Sequence, residues 1–83
     1  MKIKDAMFLI DGELRAASEG FPPMRSPHEG IAIIREEYLE LEHEVFHGDH
    51  EKAIEEAIQL GAMAARFLVD MTETKTEPQA EED

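Results

Sequence analysis

The sequence predicts an all-α protein, an antiparallel bundle of about three helices completed by oligomerisation. Three observations carry this. Apolar residues recur at three- and four-residue spacing in three separate segments, the helical period. Breakers fall between the segments, at Pro22-Pro23 and Gly48-Asp49. The chain has only 83 residues, and its third segment carries an apolar arc wider than two short neighbours can cover, so a second copy is expected to complete the core.

The first segment runs from Ile3 to near Gly20 and sets Ile3, Ala6, Met7, Ile10, Leu14 and Ala17 at helical spacing. Asp11-Gly12 has the composition of a hairpin turn, but its flanks do not alternate, so the helix is expected to continue through it. The second helix has a start signal in Ser26-Pro27-His28-Glu29. Serine is the N-cap, proline takes the first helical position, and glutamate three residues after the cap closes a capping box. The helix should end near His47, with Gly48 in the left-handed C-terminal position. Asp49 then caps a third helix reaching about Met71. The last stretch, TETKTEPQAEED, has no apolar period and ends in three acids. Residues 1–72 therefore read as the folded domain and 73–83 as a flexible acidic tail.

Composition excludes several classes of function. The formal net charge is -12, and so acidic a surface repels phosphate backbones and anionic headgroups; neither nucleic acid nor membrane is an expected partner. There is no cysteine, hence no disulfide framework and no thiolate metal site. The first seventeen residues carry Lys2, Lys4, Asp5, Asp11 and Glu13, unlike a signal peptide. The longest apolar stretch, Ala57 to Val69, is interrupted by Gln59 and Arg66 and is too short for a bilayer. A cytoplasmic protein is expected.

The second helix holds the chemistry. REEYLELEHEV, residues 35–45, places five glutamates in eleven positions. At about 100° per residue, Ile31, Ile34, Tyr38, Leu41 and Val45 form one apolar stripe, expected to face the core. Glu37, Glu40 and Glu44 fall beside it on the flank of Ile33. Packing there would bury Glu37 and Glu40 in part, an i, i+3 carboxylate pair that costs stability unless a cation compensates. The third helix is apolar over most of its circumference and is expected to be largely buried. Its narrow polar strip holds Glu55, Glu56, Gln59, Arg66 and Asp70, with Met63 among them. Ala57, Gly61 and Ala65 would let a neighbouring helix approach closely.

Glu36-Glu37-Tyr38-Leu39-Glu40 spells E-E-x-x-E. It follows the lead-in His28-Glu29 in HEGIAIIREEYLEL and precedes the alanine-rich EEAIQLGAMAARF. Over residues 26–70 the chain resembles the MazG-like all-α nucleoside triphosphate pyrophosphohydrolases. That family carries E-E-x-x-E on one helix and E-x-x-D on the next. Glu56 matches the second motif, and Gln59 stands where the family has aspartate. The resemblance implies Mg²⁺, or Mn²⁺, held by Glu37, Glu40, Glu56 and Gln59, with Glu36, Glu37 and Glu40 as the catalytic carboxylates. It also implies a nucleoside triphosphate cleaved to the monophosphate and pyrophosphate, and a homo-oligomer, dimer or tetramer, with its site between helices. Apart from the resemblance, Lys52 and Arg66 are the candidate cations for the substrate phosphates.

Plainer readings of the same residues remain open. Glu37 and Glu40 can be a solvated acidic face, and Glu36, Glu42 and Glu44 surface residues, with Arg35 and Glu42 sharing one face. Glu29 reads as the capping residue, Lys52 as an i, i+4 partner of Glu56, and Met7, Met63 and Met71 as core filler. Glu40-x-x-His43 and Glu44-x-x-His47 have the spacing of a ferritin-like di-iron site. A non-enzymatic acidic helical oligomer, acting as an interaction module, is the further alternative.

Overall fold

The structure, a computed structural model, describes residues 1–72; the expected acidic tail lies outside the described residues. Three α-helices follow in chain order: α1 (Ile3–Gly20), α2 (Pro27–His47) and α3 (His50–Thr72). α1 runs unbroken through Asp11-Gly12, as the absence of alternation there requires. Gly48 adopts φ 81° and ψ 13°, the left-handed C-terminal position, which glycine takes without steric cost. The Asp49 side chain accepts from the Lys52 N–H at 3.1 Å and caps α3. No described helix is long and apolar enough to cross a membrane.

The capping box forms only in part. Ser26 Oγ accepts from the Glu29 N–H at 3.1 Å, as expected. The Glu29 carboxylate, however, reaches one residue further out and accepts from the Arg25 N–H at 2.6 Å. It also pairs with the Arg25 guanidinium at 3.3 Å. The Arg25 backbone hydrogen bond, then its side chain, holds the Glu29 carboxyl below its ordinary value.

α3 is the centre of the molecule. α1 and α2 each pack on it, and they do not pack on each other. The molecule measures 45 × 30 × 18 Å. The core is thin. Ala17, Ala62 and Met63 are buried together, with Ile10, Leu14, Ile33 and Ile34 packed against them. No large side chain is fully buried among the described residues.

Two expectations about faces are corrected. α2 does not turn the whole Ile31-Ile34-Tyr38-Leu41-Val45 stripe inward; Ile31, Tyr38 and Val45 are exposed, and Gly30, Ile33, Ile34, Glu37 and Leu41 sit further in. The cause lies at Gly30, whose missing side chain lets α2 close onto the Phe67 ring and Met24 Sδ. Nor is α3 buried all round: Ile54, Ala57, Ala64, Leu68 and Val69 face solvent. Met7 is exposed as well, whereas Met63 is core. Of the small residues expected to allow close approach, Gly61 does so, with Ile10 of α1 lying over it.

Gly30 and Gly12 therefore predict opposite responses to alanine. A Cβ at Gly30 runs into the edge of the Phe67 ring, and such overpacking costs about 1–3 kcal/mol. A Cβ at Gly12 meets nothing within 4 Å, so Gly12→Ala should stabilise α1 by about 0.5–1 kcal/mol. Urea denaturation of the two variants checks both signs.

Candidate metal centre

α2 and α3 are joined through Gly48 and Asp49 alone, so the last four turns of one face the first turns of the other. This brings Glu37 and Glu40 of α2 against Glu56 of α3. One oxygen from each of the three lies within 4.8 Å of the other two. The i, i+3 spacing supplies the first pair from one helix face, and the short connection supplies the third member.

The cluster is under electrostatic load. Partial burial raises the Glu37 carboxyl above its ordinary value, and the charges of Glu40, Glu56 and Glu36 add to it. Glu56 is raised too, first by desolvation and then by the Glu40 carboxylate, with which its protonated form shares a hydrogen bond. Glu40 is the exposed member. A cation offsets such crowding without a proton, and an open cluster of hard oxygen ligands suits Mg²⁺, Mn²⁺ or Ca²⁺. Across an octahedral Mg²⁺, opposite oxygens stand about 4.2 Å apart.

The other expected residues are dispersed around this centre. Glu36 lines two depressions at once. One is a shallow cleft with Glu40, His43, Glu44 and Glu56; the other is a groove of about 450 Å³ between α1 and α2, floored by α3. Gln59, expected as a ligand, lines that groove beside Glu36 and Glu37. Lys52 is exposed on the first turn of α3. Glu42, expected on the surface, is half-buried.

Arg66 has a different place from the one expected of a phosphate ligand. It is 5% exposed, and its guanidinium donates to the Pro22 carbonyl, pairs with Asp70 at 3.7 Å and lies over the Phe21 ring. Asp70 in turn accepts from the Met24 N–H at 2.8 Å. The pair ties the Phe21–Arg25 linker to α3. It is a structural strap. The sequence signal for it was the i, i+4 spacing of Arg66 and Asp70 on an apolar helix, where an ion pair needs buried partners.

His43 lines the cleft with the carboxylates, but neither it nor His47 is among the three clustered ligands. His43 and His47 stack with ring centroids 3.9 Å apart, and His47 Nδ1 lies 2.8 Å from the His43 carbonyl. Neither belongs to a three-residue metal cluster among the described residues. His43-Glu44-Val45-Phe46-His47 also has the H-E-x-x-H spacing of zinc sites, which the expected pattern above overlooked, but that site needs a third ligand.

Glu13 is the residue sequence reasoning left at the margin. It enters the groove from α1, opposite Glu36 and Glu37. Its signal was present: it lies beside Ile10, Leu14 and Ala17 on the wheel, at the edge of the face that meets α3.

The raised carboxyls fix a pH dependence for the metal-free protein. Where the folded-state value exceeds the unfolded one, the folded state binds more protons, so stability falls as pH rises through that window. Its lower edge is the ordinary glutamate value of 4.5. Acidifying from pH 7 towards 5 in a chelating buffer should therefore raise the melting temperature. Glu37→Gln should flatten that slope, while Glu51→Gln, remote from the cluster, should leave it in place.

No family model, no curated protein and no solved structure matches the chain.

Proposed function

We propose that the chain is a metal-dependent nucleoside triphosphate pyrophosphohydrolase, holding Mg²⁺ or Mn²⁺ at Glu37, Glu40 and Glu56. The observation that carries this is the convergence of those three carboxylates from two helices to within 4.8 Å. The resemblance of residues 26–70 to the MazG-like enzymes selects the reaction. A cation bound there would neutralise phosphate charge and lower the pKa of a water. The remaining roles belong to the chain's own side chains. Glu36, shared by the carboxylate cleft and the neighbouring groove, stands where it can take the proton of an attacking water. The groove walls of Phe21, Ile33 and Met63 offer an apolar surface to a base, and Gln59 offers an amide. The volume of about 450 Å³ falls in the ordinary range for small-ligand pockets. Lys52, one turn before Glu56, remains the cation for an outer phosphate. Arg66 lines the same groove, where its guanidinium is also engaged by Pro22 and Asp70.

The functional unit in this reading is a cytoplasmic homo-oligomer of antiparallel helices. The stacked histidine pair gives the di-iron alternative no support, and the acidic interaction module is what remains if no turnover is found.

The decisive assay is release of pyrophosphate from each nucleoside triphosphate with Mg²⁺ or Mn²⁺. Glu37→Gln, Glu40→Gln and Glu56→Gln should each remove most activity, on the order of 100-fold, since an underliganded Mg²⁺ holds neither triphosphate nor water. Glu51→Gln should be nearly silent. Glu40→Gln should also raise the metal-free melting temperature and weaken the response to Mg²⁺. Gln59→Asp, which restores the family's acid, should tighten metal binding. Orthophosphate in place of pyrophosphate, or no turnover even by Gln59→Asp, would overturn the enzyme reading.

A further inference from the structure

The carboxylates share their face of α2 with a second kind of ligand. At about 100° per residue, Glu36, Glu40, His43 and His47 fall within about 60° of one another, so one stripe passes from glutamates to imidazoles. His43 lines the cleft with Glu36, Glu40, Glu44 and Glu56. His47 lies one turn further on, at the last residue of the helix. Both side chains are exposed. Their rings stack with centroids 3.9 Å apart and planes inclined by 29°.

A hydrogen bond within the pair fixes what it can bind. A backbone carbonyl only accepts, so the 2.8 Å contact between His47 Nδ1 and the His43 carbonyl is a donation from Nδ1–H. The neutral His47 ring then keeps its lone pair on Nε2. Imidazoles that hold metal ions are oriented in the same manner, with the other ring N–H given to a carbonyl or a carboxylate. The second imidazole is near enough to share an ion. Two nitrogens on one tetrahedral Zn²⁺ stand about 3.3 Å apart, and rings stacked at 3.9 Å are separated by little more. The i, i+4 spacing holds both on one rigid helix face.

Ligand chemistry then selects the ion. Imidazole nitrogen suits Zn²⁺, Ni²⁺ and Cu²⁺, whereas Mg²⁺ takes hard oxygens, so the two ends of the stripe favour different metals. We propose that His43 and His47 form a second metal centre, which chelates one divalent transition-metal ion of the Zn²⁺, Ni²⁺ and Cu²⁺ class beside the carboxylate cluster. Two protein nitrogens leave the remaining positions to water. The site is therefore open and exchangeable, unlike a structural zinc site closed by four protein ligands. The acidic cleft beside it raises the local concentration of cations. The site needs neither hydrolysis nor an ion in the carboxylate cluster.

Calorimetric titration of the full chain with Zn²⁺ tests it, in a large excess of Mg²⁺ that occupies hard oxygen ligands. One Zn²⁺ per chain should bind. His43→Gln and His47→Gln should each weaken binding on the order of tenfold or more, because the second nitrogen of a chelate acts at high effective concentration. Glu37→Gln should leave Zn²⁺ binding unchanged. Val45 is 56% exposed, so Val45→His combined with His47→Gln is a control of spacing. It keeps the number of histidines but sets the two imidazoles on different faces, and it should bind as weakly as the single variants, with circular dichroism confirming that the helices persist. Cu²⁺ in place of Zn²⁺ should show spin-resonance coupling to two imidazole nitrogens. No uptake of Zn²⁺, binding as tight in the spacing control or in either single-histidine variant, loss of Zn²⁺ with Glu37→Gln, or coupling to fewer than two nitrogens would each overturn the proposal. None of these outcomes reads turnover, so a failed enzyme assay and a failed second centre remain distinguishable.

Discussion

The Arg66–Asp70 pair is the constraint on which the arrangement of helices depends. α1 and α2 do not pack on each other, so their separation is set by α3 and by the linker between them. The linker is fixed from α3: Arg66 holds the Pro22 carbonyl and Asp70 holds the Met24 N–H. Pro22 and Pro23 have no N–H to satisfy, while the Phe21 N–H closes on Ala17 and the Arg25 N–H on Glu29. Few linker donors are left over. The buried charges are thus stabilised by backbone groups as well as by each other, the condition under which a buried pair does not become a net cost. A groove exists between α1 and α2 because this strap keeps α1 beside α3 without letting it close onto α2.

The carboxylate cluster sits at the opposite end of α3 and obeys a different logic. Its residues are held together by helix spacing and a short connection while their charges push apart. Everything that makes it a poor neighbourhood for three anions makes it a good one for a hard cation. The strap and the cluster are separated along α3, and the groove runs between them, lined by Glu37 of the one and Arg66 of the other.

Much of this was legible in the sequence. The three helices, their ends, the Gly48 and Asp49 signals and the convergence of Glu37, Glu40 and Glu56 all follow from period, caps and connection length. The faces were harder. A wheel ranks positions by apolarity, and on that ranking Ile31, Tyr38 and Val45 belong in the core. What decides the packing is how closely backbones approach, and that turned on Gly30, a residue with no apolar weight. The partners of Arg66 were hidden for the same reason. A cation in a polar strip looks available until its partners are known, and the partners were backbone groups of a linker that no periodicity describes.

Connections between helices ordinarily tolerate insertion, because a longer loop costs little closure entropy. The turns of helix that flank the Gly48-Asp49 connection do not share that freedom. Glu40 and Glu56 each stand eight residues from Gly48, about 12 Å of helix on either side. The helical turns on either side of the connection therefore act as a ruler. One residue added inside α3 before Glu56 would turn Glu56 by about 100° and shift it about 1.5 Å along the helix relative to the residues before it, carrying it off the face it shares with Glu37 and Glu40. Length variation within these helical turns would dismantle the cluster even where the connection itself is unchanged.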